Sequence, residues 1–330
     1  MRAAWYERRG AAADVLQVGE LPDPHPGPGE VRVRVAVSGI NPGDTKKRSD
    51  WLGTPMPYPR VIPHSDGAGV VDEVGPGVDE ELLGRRVWVY GAQSYRAGGT
   101  AAQYTVVPAQ QAVALPDAVS DEVGACLGIP GITAHRAVFA DGPVAGRIVL
   151  VHGVLGAVSS MAAQLAHRAG ARVIGTVRRT ADLARLQALE PSRWLDAALA
   201  LDGEDPVAAV RGIAPDGVDR IVEVSFSDNA DLDAALVRNG GVIAAFATRR
   251  ARPEFPFWTM LFENTTIRLL GSDDFPAQAK REAAAELTQA AAAGDLVIPI
   301  AQPLALGCIA ESHDQVDAGS RSRVLLSLSR

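Results

Sequence analysis

Cysteine is almost absent from this 330-residue sequence, which has only Cys126 and Cys308. They lie far apart and neither belongs to a Cys-x-x-Cys pair, so neither a disulfide framework nor a thiolate zinc cluster is expected. Lysine is nearly as rare: of 32 basic residues only Lys46, Lys47 and Lys280 are lysines. The net charge is -7 and the pI near 5.4, so no basic surplus exists to release counterions from a phosphate backbone, and nucleic acid is not an expected partner. No apolar run reaches the roughly 18 residues of a membrane span, and the charged start MRAAWYERRG has no signal-peptide core; a cytoplasmic protein with no membrane partner is expected. What the sequence does have is 47% hydrophobic residues with 33 glycines and 22 prolines, the mark of a globular protein of about two domains with many turns.

The first third reads as β structure. VRVRVAVSG (residues 31–39) alternates valine with arginine, the period-2 pattern of a strand with one wet face. AGVVDEVGPGV (68–78), RRVWVYG (85–91) and AAQYTVVP (101–108) repeat it between turn residues, which predicts a compact, partly barrel-like β domain. That rhythm ends near Asp117, where Ser120 is placed to cap a helix with acids in its first turn. From Arg147 the pattern becomes apolar strand, loop and amphipathic helix in alternation. Strands are expected at 147–153, 171–177, 218–225 and 240–247, and helices at 158–170, 180–190, 206–213 and 230–240. Such alternation predicts right-handed crossovers and a doubly wound parallel sheet. The tail returns to mixed character, with helices over 276–294 and 306–319 and a closing strand SRVLLSLS.

Chemistry concentrates in VLVHGVLGAVSSMAAQLAHRAGARVIGTVRRT. A tight turn leaves a buried strand at Gly153, passes Gly156 and enters a helix, so backbone N–H groups and the positive helix end are arranged to hold a pyrophosphate. The spacing Gly153-x-x-Gly156-x-x-Ser159 departs from the common glycine-rich forms, because Val154, Leu155 and Ser159 replace smaller residues. About 20 residues beyond such a turn an NAD-binding protein places an acid on the ribose, whereas this strand ends in Arg178 and Arg179. Two guanidiniums suit the dianionic 2′-phosphate of NADPH. No tyrosine precedes a lysine by four residues, no serine stands in Gly-x-Ser-x-Gly and no P-loop occurs, which removes three other chemistries.

SGINPGDTKKRS (38–49), VIPHSDGAGVVDEVGPGV (61–78), GIPGITAHRAV (128–138), the VLVHG turn and the SRVLLSLS ending together resemble the zinc-free quinone oxidoreductases, the zeta-crystallin-like branch of the medium-chain dehydrogenase/reductase superfamily. The resemblance covers essentially the whole chain. It implies an α/β fold with a GroES-like β-barrel domain and an inserted Rossmann domain, a doubly wound parallel sheet: residues 1–122 as the first part of the catalytic domain, 123–268 as the NADP-binding domain, and 269–330 as the return. It also implies that Asn41 borders nicotinamide and substrate, that Asp44 organises its loop, and that Thr133, at a helix start, meets the nicotinamide ribose. Gly156, Ala157 and Val158 would contact the pyrophosphate, and Phe246 with Ala247 would line the nicotinamide pocket. Zinc-dependent relatives carry donors where this chain has Asn41, Ser65, Asp66 and Ile129, of which only Asp66 is a metal ligand by type, so no metal site is expected. His64 and His135 are expected to be packed or hydrogen-bonded rather than ligands.

Without a Lewis acid, hydride donation from NADPH favours acceptors that already delocalise charge, namely quinones and activated alkenes such as α,β-unsaturated carbonyls. An enoyl-thioester reductase uses the same geometry, and a redox sensor that binds NADPH with little turnover is the alternative outside enzymes. The family's tyrosine after the Asn-Pro-x-Asp/Glu-Thr motif is replaced by Lys46, which either orients or protonates the acceptor or is a solvated charge. By resemblance the chain forms a homodimer through TTIRLLGS (265–272).

Overall fold

The computed structural model describes residues 1–51 and 53–328; the last residue expected in the closing strand, Ser329, lies outside the described residues. The chain divides into two compact units, one made of Met1–Pro130 with the segment that begins at Lys280, the other of Gly131–Ala279. The expected divisions at 122 and 268 both fall earlier than these. The helix Asp121–Gly124, capped by Ser120 Oγ, packs on the first unit's strands and carries the following residues with it.

The first unit is built on the strand Glu30–Gly39, whose Val31, Val33, Val35 and Val37 are buried while Arg34 faces water. Along one edge it pairs antiparallel with Asp66–Val74. Its other edge is shared: Tyr104–Pro108 covers residues 30–34, and Leu325–Ser327 covers residues 37–39. The chain's return therefore completes the sheet at the point where the strand runs into Ile40 and Asn41. Arg86–Val89 and Ala112–Ala114 extend the sheet on one side, and the short Leu304–Ala305 on the other. The return also contributes Leu306, Ile309, Val324, Leu326 and Leu328 to an apolar cluster with Val35 and Ile40.

The second unit contains a six-stranded, all-parallel sheet. Its order is Ala197–Ala200, Arg172–Val177, Ile148–Val151, Val218–Glu223, Val237–Ala245 and Thr266–Leu269, the 3-2-1-4-5-6 order of the Rossmann fold. Strand direction of winding reverses between Ile148–Val151 and Val218–Glu223, and ligands of such sheets bind beyond the carboxyl ends at that switch point. The core joins Leu150, Ile174, Ile221 and Ile243 of the strands to Phe226, Ala230 and Leu236 of one helix. Two expectations shift here. The helix expected over 180–190 is a 3₁₀ turn, Thr180–Asp182, followed by the short helix Leu183–Gln187; Leu186 is its one buried side chain, and Glu190 adopts a left-handed conformation that ends it. The helix expected over 230–240 is Phe226–Leu236: the Phe226 ring is buried in the core and its N–H is tied to the Ala247 carbonyl, and residues 237–240 instead open the strand Val237–Ala245. The last strand, Thr266–Leu269, is a sheet edge, and beside it Phe257, Trp258, Leu261, Phe262 and Leu269 are exposed.

Candidate functional site

In the second unit the strand Ile148–Val151 ends at His152 and turns at Gly153, whose φ of +68° is a conformation open to glycine. A Cβ there would lie 3.1 Å from Val224 Cγ1, so side chain and conformation are both disfavoured. The Gly156 N–H closes the turn on the Gly153 carbonyl at 2.8 Å, and Gly156 is the N-cap of the helix Ala157–Arg168. Ala157, Val158 and Ser159 thus form a first helical turn whose N–H groups have no intrahelical acceptor, an arrangement suited to an anion. Ser159 is buried against the sheet.

Arg178 and Arg179 directly follow the strand Arg172–Val177 and are exposed. Asp202, which follows the neighbouring strand Ala197–Ala200, accepts from both the Thr180 N–H and hydroxyl at 2.7 Å; those bonds hold its pKa below the ordinary value, with a smaller contribution from Arg179. Phe246 and Ala247 follow the strand Val237–Ala245, half-buried, with the Phe246 N–H bonded to the Glu223 carbonyl. Thr133 is buried, but it sits four residues inside the helix Ile129–Phe139 rather than at its start, so it does not cap that helix.

Under the turn lies a set of buried polar groups that sequence reasoning missed. His152 Nδ1 is 2.9 Å from Thr176 Oγ1, and its Nε2 is 3.0 Å from Asp233 Oδ1 and 3.8 Å from Glu223 Oε2. Burial works against the imidazolium, yet the Asp233 hydrogen bond and the charges of Asp233 and Glu223 outweigh it and raise the His152 pKa. Glu223 is raised as well, chiefly by burial and further by Asp233, while His152, the Ser225 N–H and the Asn229 amide pull the other way. Among the described residues this is a group of three potential metal ligands, with ligand atoms within 4.8 Å of one another. Their own hydrogen bonds already occupy both imidazole nitrogens. The available signal was a charge in an apolar strand: Glu223 in VDRIVEV and His152 at the end of IVLV.

In the first unit Asn41 caps the helix Pro42–Ser49, its backbone N–H bonded to Asp44 Oδ2 at 2.8 Å and its carbonyl to the Asp44 N–H at 2.9 Å. The Asn41 side chain is gripped at both ends, donating from Nδ2 to Asp66 Oδ2 at 2.7 Å and accepting at Oδ1 from Arg323 Nη2 at 3.0 Å. Asp66 also takes the Ile129 N–H on both oxygens, at 3.0 and 2.9 Å. The fit is close enough that a Cβ on Gly128 would fall 2.1 Å from Asp66 Oδ1. Burial, reinforced by Asp44, lifts the Asp66 pKa to about 7 against the opposing pull of Asn41, Ile129 and Arg323. Zinc does not fit these residues: Asn41, Ser65 and Ile129 offer no thiolate or imidazole, and both oxygens of Asp66 are committed to donors. Lys46 is half-buried with Nζ 5.1 Å from the centre of the Trp51 ring, a cation–π contact. His64 is buried and bonded to Ser38 Oγ and His313 Nε2, each at 2.9 Å, and His135 packs on Phe139.

The chain matches the family descriptions "Alcohol dehydrogenase GroES-like domain" over residues 27–117 and "Zinc-binding dehydrogenase" over residues 157–288. It is 28% identical over 300 residues to a quinone oxidoreductase of Pongo abelii, covering 90% of this chain and 88% of that protein. With the quinone oxidoreductase of Mus musculus it shares 30% identity over 247 residues, 74% and 72% of the two chains. A mycobacterial protein solved in complex with NADPH matches at a TM-score of 0.83 and 25% identity, over 99% of each chain.

Proposed function

Because the chain belongs to the medium-chain dehydrogenase/reductase superfamily, in its quinone oxidoreductase-like branch, we propose that it is an NADPH-dependent reductase that delivers hydride to a quinone or an activated alkene without zinc. The observation that carries this reading is the pair of exposed arginines, Arg178 and Arg179, at the end of the second Rossmann strand, where an NAD-selective protein places an acid. NADPH, when bound, supplies the hydride. The residues Gly153, Gly156, Ala157 and Val158 take its pyrophosphate, Arg178 and Arg179 its 2′-phosphate, and Thr133, Phe246 and Ala247 its nicotinamide end. Asn41 presents a surface fixed by Asp66 and Arg323 toward the acceptor, Asp44 fixes the loop, and Lys46 orients the acceptor oxygen. Flat, conjugated acceptors need no polarisation at oxygen to take a hydride, which agrees with a site lacking a zinc donor set.

The protein acts in this reading as a cytoplasmic homodimer. Its two free cysteines agree with a reducing compartment, and the apolar edge strand Thr266–Leu269, with Phe262 72% and Leu269 75% exposed, is the surface a second copy would cover. Steady-state kinetics test the proposal. The double substitution Arg178→Ala with Arg179→Ala is expected to raise the NADPH KM about 10- to 100-fold, from roughly 1.5 kcal/mol or less for each exposed charge-assisted bond, and to leave the NADH KM within about threefold. Equal weakening of both cofactors would remove the 2′-phosphate assignment. Faster turnover of an enoyl thioester than of any quinone or simple enone would reassign the substrate, and light scattering at the mass of one chain would remove the dimer.

A further inference from the structure

We propose that the buried set His152, Thr176, Asp233 and Glu223 is a positioning device that holds the dinucleotide turn from beneath. The proposal rests on the assignment of that turn to the cofactor pyrophosphate. Among the described residues Thr176 engages all of His152, Gly153 and Val154: its hydroxyl meets His152 Nδ1 at 2.9 Å and the Gly153 N–H at 3.4 Å, and its carbonyl accepts the Val154 N–H at 3.0 Å. Thr176 also stands two residues before Arg178, so the same residue links the turn to the strand end that carries the arginines. The opposite side of the imidazole is fixed by Asp233, from the helix Phe226–Leu236, and faces Glu223, from the other strand at the switch point. Glu223 is held in turn by Asn229 at 3.0 Å and by the Ser225 N–H. The ends of three adjacent strands and one helix are thereby tied to a single imidazole.

Simple core packing does not account for this. Apolar side chains would fill the space without the desolvation cost of three ionisable groups, all buried. Hydrogen bonds have fixed directions, whereas apolar contacts do not, so a polar set specifies one orientation of a turn whose Gly153 has no side chain of its own to anchor it. The geometry points to an effect on the part of the cofactor that NADPH and NADH share, unlike that of Arg178 and Arg179.

Thr176→Val and Asp233→Asn test this, with Thr176→Ser as the conservative control and Ile243→Val as an apolar variant in the same unit's core, outside the polar set. Thr176→Val and Asp233→Asn are expected to raise the KM for NADPH and NADH alike by about tenfold with kcat within about threefold, and Thr176→Ser to restore it. Hydrogen exchange in the cofactor-free protein gives a second readout: the Gly153 and Val154 amides should exchange about tenfold faster in both variants than in the wild type or Ile243→Val. If neither KM nor exchange moves beyond the change seen in Ile243→Val, the device does not exist. If Thr176→Val does not fold, Asp233→Asn decides. Failure of the wild type to bind NADPH would overturn the cofactor reading and with it the link to cofactor binding, whereas binding with unmoved variants would overturn this inference alone.

Discussion

The two units each gather buried polar side chains at one point, but they assemble them over different lengths of chain. In the Rossmann unit His152 reaches Thr176 across 24 residues and Asp233 across 81. In the barrel unit Arg323 must return across 282 residues to meet Asn41. A parallel sheet delivers every strand end to the same edge, so polar groups at those ends converge as a by-product of the winding. The barrel has no such edge; its polar set exists only after the last strand closes on Val37–Gly39. The ionisable groups also differ in company: His152 has two acids beside it, whereas Asp66 is raised by burial and by Asp44 against the pull of one guanidinium, an amide and a backbone N–H.

The largest test of that contrast is pH. Asp66 has a folded pKa of about 7 against an ordinary value of 3.8, so the folded protein keeps this proton longer than the unfolded chain. The resulting stability cost is absent below about pH 4, grows between about 4 and 7 and is complete above, on the order of 4 kcal/mol. Chemical denaturation across pH should show that decline, and Asp66→Asn should lessen it while leaving the part due to Glu223, which burial also lifts to about 7, and the slope due to His152, whose raised pKa stabilises below about 6.5 and is lost as pH rises through the folded value. An unchanged slope in Asp66→Asn would place the pH response elsewhere.

Next in size, Arg323→Ala should cost about 3 kcal/mol, since it leaves Asn41 Oδ1 unpaired in a buried site and opens space beneath the return strand. The barrel unit should carry that loss, read as faster hydrogen exchange at Ile40, which is bonded to the Val324 carbonyl, with the amides around His152 unmoved. Equal loosening of both units would deny that their polar sets are separately assembled. The smallest effect is expected at Lys46→Met. If Lys46 serves the acceptor, kcat/KM for a quinone falls about tenfold or more; a residue engaged only with Trp51 would lose no more than about 1 kcal/mol of stability and leave kinetics within about twofold.

The Rossmann half was legible because its signals are local. Apolar runs such as IVLV and RIVEV, a glycine turn and a following helix fix the order of elements, and Arg178 and Arg179 lie next to the strand that presents them. The barrel's valine–arginine alternation was equally readable, since one face of Glu30–Gly39 is buried and the other carries half-buried Glu30 and Arg32 and exposed Arg34. The partners of those elements were not readable. Nothing near Asn41 in the sequence announces Arg323, and Asp66, weighed only as a zinc donor, is an anchor for Asn41 and Ile129. Thr133 shows the same limit on a smaller scale, because the helix around it begins at Ile129.

By itself, then, the sequence determined the two kinds of sheet, the glycine turn and the exposed arginine pair that follows the second Rossmann strand, all consequences of side-chain periodicity and of conformations that few residues tolerate. Tertiary structure alone decided which buried groups meet: Arg323 with Asn41, and His152 with Asp233. Hydrogen bonds act over about 3 Å and depend on direction, so a pattern along the chain does not specify them until packing has brought distant segments together.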